Sequence, residues 1–79
     1  MHLNQAVSKR LRQLLEEHEM TQYQLFSRSG VPRSTINNII NCAYDSVKLR
    51  IIPEICQGFP ITMTEFFQSP PFDEDDLDP

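Results

Sequence analysis

The chain of 79 residues has no tryptophan, only two glycines and two cysteines, and no basic residue after Arg50. Each scarcity excludes something. Cys42 and Cys56 are too few for a disulfide framework, and nothing at the N-terminus resembles a secretory signal, so a reducing cytoplasm is the expected setting. Together with His2 and His18 they match no zinc-ligand spacing, so no metal is expected. No apolar run approaches the roughly 20 residues of a membrane span, and no membrane partner is expected. No set of nucleophile, base and orienting residue stands out, so neither catalysis nor a cofactor is expected. What remains is length enough for one small domain with a single core, burying roughly 60% of its unfolded surface.

The formal net charge is −4, which at first argues against a polyanionic partner. Its distribution argues the other way. Residues 1–50 hold all seven Lys and Arg against four acids, a balance of +3, while residues 51–79 hold seven acids and no base. The chain is electrically two-ended, so its total charge does not decide the partner.

Apolar periodicity predicts helices throughout and no strand. Leu3, Val7, Leu11, Leu14 and Leu15 mark one face of a first helix over about Asn4–His18. Lys9, Arg10 and Arg12 near its middle read as ordinary surface charge or as contacts to a phosphate backbone. Thr21 and Gln24 form a capping box that starts a second helix, with Met20 and Leu25 in the staple positions, and Gly30 supplies the left-handed residue that ends it. A third helix over about 33–41 follows Pro32, with Ile36, Ile39 and Ile40 inward. The fourth is expected over about Leu49–Gly58, with Leu49, Ile52, Ile55 and Cys56 inward. Its start must lie at about Lys48 or later, because Pro53 is tolerated only in a first turn. Thr62 and Glu65 form a second capping box at the start of the fifth, with Ile61 stapled onto Phe66 and an end by Ser69, before Pro70 and Pro71. Residues 1–69 are therefore expected to be one domain and residues 70–79 a disordered acidic tail, which solubilises the domain, binds a basic protein partner or competes for the chain's own basic face.

The stretch "GVPRSTINNII", Gly30–Ile40, has a polar face of Arg33, Ser34, Asn37 and Asn38, where a face meant only for water carries Lys, Glu and Gln more often. The pattern of Gln22, Gly30, Val31, Ile36 and Ile39 resembles the helix-turn-helix of the Cro/phage-repressor (XRE-type) DNA-binding family, with the motif over about 21–41. The likeness covers about residues 4–68, and "PEICQGFPITMTEFF" looks like the fourth and fifth helices of small bacterial members. It implies an all-α, compact five-helix bundle of the lambda-repressor-like type that binds double-stranded DNA and regulates transcription, as a repressor and as a homodimer. By the same resemblance Arg33, Ser34 and Asn38 map to base-reading positions, and Gln22, Thr35, Asn37 and Asn41 to positions that touch phosphate. Tyr23, beside the positive N-terminus of the second helix, is a further phosphate candidate. Two departures stand out. Phe26 occupies a place where the family has a small residue, so either its ring tilts outward or the helices splay. Asn41 is followed by Cys42 where the family has glycine, and Asn41 itself is expected in the left-handed conformation.

The chemistry agrees with the resemblance. A helix fits the major groove with its N-terminal residues toward base edges. Arginine pairs with guanine O6 and N7, and asparagine with adenine N6 and N7. The rival reading is a protein-interaction module, such as an antitoxin or anti-repressor, that captures a partner through the aromatic and acidic end. Phe59, Phe66, Phe67 and Phe72 lie within fourteen residues there, which also places the expected dimer contact at that end.

Overall fold

The computed structural model describes residues 1–68 and 70–78; Ser69, the expected domain boundary, and Pro79 lie outside the described residues. Five α-helices follow in order: α1 (Leu3–Glu17), α2 (Gln22–Ser29), α3 (Arg33–Ile40), α4 (Ile51–Gly58) and α5 (Met63–Phe67). Two short 3-10 turns close the chain, Pro70–Phe72 and Glu74–Asp76, and there is no strand among the described residues. The radius of gyration, 11.7 Å, is that of one compact domain of this length, about 12 Å by size scaling.

The capping chemistry is made as the sequence dictates. The Gln24 N–H donates to Thr21 Oγ1 at 3.1 Å, and the Thr21 N–H to Gln24 Oε1 at 2.8 Å. Glu65 and Thr62 repeat this pair at α5, at 3.0 and 3.1 Å. Gly30 ends α2 at φ 75°, and its N–H donates to the Phe26 carbonyl at 2.9 Å. A side chain there would be strained even though it would meet nothing, because the left-handed region disfavours a Cβ. Gly58 is required for a different reason. A Cβ on it would lie 2.7 Å from Leu25 Cδ1 and 2.9 Å from Ser29 Cβ, so α4 crosses α2 at a distance that only glycine permits.

One core joins all five helices. Leu11, Leu25, Val31, Ile36, Ile55, Phe59 and Phe66 are fully buried, with Val7, Leu14, Ile39, Ile40 and Ile52 around them. Phe66 also packs on Phe72, ring centroids 5.7 Å apart, and on Phe67 at 5.0 Å.

Three expectations are corrected. Helix α4 begins at Ile51, so Ile51 turns inward and Leu49 stands 75% exposed; Pro53, in the first turn, shifts the helical register past Leu49. Leu3 is exposed at the very start of α1, and Ala6 and Ser8 fill the inner face instead. Asn41 keeps an ordinary backbone at φ −89°, and the left-handed residue is Cys42 at φ 52°. Within residues 70–78, Pro71 is buried, Phe72 packs on the core, and the Asp73 and Asp76 N–H groups donate to the Pro70 and Asp73 carbonyls. The Met1 ammonium holds the far end, donating to the Asp76 carbonyl at 2.6 Å and pairing with the Asp78 carboxylate at 3.3 Å.

Candidate nucleic-acid interface

Helix α3 is presented by a short, fully bonded turn. Gly30 breaks α2, Val31 buries its side chain, and Pro32 precedes the first helical residue. The Ser29 hydroxyl donates to the Leu25 carbonyl at 2.6 Å and accepts from the Val31 N–H at 3.1 Å. Inward, Ile36, Ile39 and Ile40 hold α3 to the core. At its C-terminus the Ile40 carbonyl accepts two bonds from α1, one from the Ser8 hydroxyl at 2.6 Å and one from Arg12 Nη2 at 2.9 Å. Helix α3 has no basic residue in its own last turn, so Arg12 supplies the positive charge that complements its dipole. Arg10 does the same for α5, donating to the Phe66 and Glu65 carbonyls at 2.8 and 2.9 Å. Both arginines thus serve helix ends inside the fold, Arg10 through two bonds and Arg12 through one.

The outward face carries the residues singled out in the sequence. Arg33, Ser34 and Asn37 are exposed. The Arg33 guanidinium lies 5.4 Å from the centroid of the Tyr23 ring, and no carboxylate pairs with it among the described residues. Asn37 Oδ1 accepts from Asn41 Nδ2 at 3.1 Å, which brings these two together and orients both amides. Thr35 and Asn38 are half-buried and line a cleft of about 460 Å³ between α3 and the loop that leads into α4. Gln22 is half-buried at the start of α2, and Tyr23 beside it is exposed. The structure therefore gathers Tyr23, Arg33, Ser34 and Asn37 on one front, with Asn38 and Thr35 on its flank.

The Phe26 ring tilts outward, 37% exposed and 6.0 Å from the Tyr23 ring, so α2 and α3 need not splay to admit it. Sequence reading missed the other wall of the cleft, where Tyr44, Lys48 and Arg50 are exposed. These residues were visible only as charge and aromatic content, because the 41–50 loop has no periodicity to place them. Elsewhere, burial pushes the Cys56 thiol up, with Arg10 pulling it down and Glu65 adding to the rise. Among the described residues no group of three His, Cys, Asp or Glu is placed to hold a metal, and no helix is long and apolar enough to cross a membrane.

The arrangement is a helix held from behind by apolar side chains and at its end by polar bonds, with hydrogen-bonding side chains in front. A search of curated proteins and a search of solved structures return no match. A protein-family model, the Cro/C1-type HTH DNA-binding domain, matches residues 10–71, which include the whole of α2, its turn, α3 and the two helices after them. The chain belongs to the family of Cro/C1-type helix-turn-helix DNA-binding domains.

Proposed function

We propose that the chain is a sequence-specific transcriptional repressor that reads duplex DNA with α3 and acts by occupying its site. The observation that carries this reading is the exposed front of Arg33, Ser34 and Asn37, whose guanidinium is paired with no acid among the described residues. Arg33 and Ser34, in the first turn of α3, approach base edges, and Asn38 reaches a neighbouring base pair from the flank. Gln22, Thr35, Asn37 and Asn41 surround them and meet phosphates. A single module of this size buries little DNA, so the working form is a homodimer on two half-sites roughly one helical turn apart. Met63 and Phe67, both exposed on α5, are the apolar surface for that contact.

The rival reading, capture of a protein through the aromatic and acidic end, has less surface to work with. Phe59 and Phe66 are fully buried in the chain's own core, and Phe72 is packed against it. Selection of bound duplexes from a random library with purified protein separates the two. A recovered motif with two-fold symmetry is expected. Recovery of no motif, with a stable complex to a basic protein instead, overturns the proposal.

A further inference from the structure

We infer that Tyr23 is a positioning residue for base recognition: its ring holds the Arg33 guanidinium, and the Phe26 ring packs beside it. The inference rests on α3 reading DNA, and deepens that reading. It also replaces the phosphate role that the sequence suggested for Tyr23.

Three observations meet here. The Arg33 guanidinium carbon lies 5.4 Å from the Tyr23 centroid, inside the roughly 6 Å reach of a cation–π contact. Arg33 makes no hydrogen bond and no ion pair within the chain among the described residues, so the ring is what holds its head. Tyr23 in turn packs on Phe26 at 6.0 Å and 60°, a tilted aromatic pair. Arg33, Tyr23 and Phe26 thus form a chain of contacts across the elbow between α2 and α3, outside the buried core. Helix α2 carries two of the three residues and packs closely on α4 at Gly58.

The physical consequence concerns entropy and direction. An exposed arginine loses rotamer freedom when it is fixed on a target. A ring that holds the guanidinium beforehand lowers that loss. It does so without a carboxylate that would take up several of the five N–H donors, so donors remain for the two parallel bonds that guanine accepts. The phenolic hydroxyl has no part in this, so phenylalanine should serve as well as tyrosine.

The test measures Tyr23→Leu, Tyr23→Phe, Arg33→Ala and the double variant Tyr23→Leu/Arg33→Ala against the preferred duplex and its single-base variants at one salt concentration. Tyr23→Leu is expected to lower discrimination about two- to five-fold at the base pair that Arg33 reads, and at no other. Tyr23→Phe should keep the parent's discrimination, and Tyr23→Leu should change nothing further at that pair once Arg33 is alanine. Helical content by circular dichroism should stay at the parent's value in all four. Uniform weakening on every duplex by both Tyr23 variants would mean a phosphate contact through the hydroxyl and overturn the inference. If Arg33→Ala relaxes its base pair while Tyr23→Leu leaves discrimination intact, the positioning role falls and base reading stands. If Arg33→Ala leaves every preference unchanged, base reading falls and the positioning role with it.

Discussion

Arg12 on α1 and Arg33 on α3 carry the same charge and have opposite surroundings. Arg12 reaches back to the Ile40 carbonyl at the end of α3, while Arg33 lies over an aromatic ring with its donors unengaged. Arg10 follows Arg12, bonded to two carbonyls at the end of α5. The difference teaches that a cation's role here is set by which helix end it can reach. Neither α3 nor α5 has a basic residue in its last turn, and α1 lies within reach of both. The rear of the molecule therefore uses positive charge to hold helices together, and the front holds the cation that the proposed reading assigns to DNA.

The sharpest way to test this division is to damage the rear and the front separately. The largest effect is expected from Phe66→Ala, which empties a fully buried ring site beside Phe67 and Phe72. It should cost about 3–5 kcal/mol of stability, enough to unfold a domain this small, and urea denaturation would show it. Next comes Arg33→Ala. It should cost about 1–3 kcal/mol of binding to the preferred duplex with an unchanged denaturation midpoint. Arg12→Ala should do the reverse, at about 1 kcal/mol of stability for one charge-assisted bond at an exposed position, while base preferences are retained. If Arg12→Ala altered discrimination between duplexes and left stability alone, the division between rear and front would be wrong.

Two smaller effects sharpen the contrast. Cys56 is buried and Cys42 exposed, so a thiol reagent should label Cys42 in the native protein and Cys56 only on unfolding. Because burial raises the Cys56 thiol, its ionisation is resisted in the fold. Below the unfolded value, near pH 9, both states are neutral and the group contributes no pH dependence; above it the unfolded state ionises first and stability falls. The fall should be smaller in Cys56→Ala, measured by denaturation at pH 7 and pH 10. Smallest of all, deleting residues 73–79 removes five acids and leaves Pro71 and Phe72 in place. The domain should stay folded and bind DNA slightly more tightly at low salt, with the gain fading as screening shortens to about 8 Å at physiological ionic strength.

Much of the fold was legible because the signals are local. Thr21 with Gln24, Gly30, and Thr62 with Glu65 fix helix ends within one turn of chain, and each is found where the spacing puts it. What was not legible depends on contacts distant in sequence. That Arg10 and Arg12 cap other helices depends on a neighbour about 28 to 56 residues away. Leu49 looked like an inward residue because the periodicity of α4 extends back to it, and only the helix start at Ile51 removes it. The packing of Phe72 and the bonds of the Met1 ammonium to Asp76 and Asp78 could not be read from acidic composition, because they act across the fold. In the site, exposure of Arg33, Ser34 and Asn37 follows from helical spacing. The contact with Tyr23 does not, because it depends on the angle at which α2 meets α3.

Ile36, Ile39 and Ile40 belong to the core, Arg33, Ser34 and Asn37 lie outside it, and the half-buried Thr35 and Asn38 join the two sides. If α3 reads bases as proposed, such a helix can be re-lettered: exchanging its outer residues should change the preferred sequence without touching the scaffold. The contacts among those residues set the limit of that freedom. A letter changed at position 33 leaves the Tyr23 ring without its cation, and one changed at 37 leaves the Asn41 amide without its bond, so each is to be varied together with its partner.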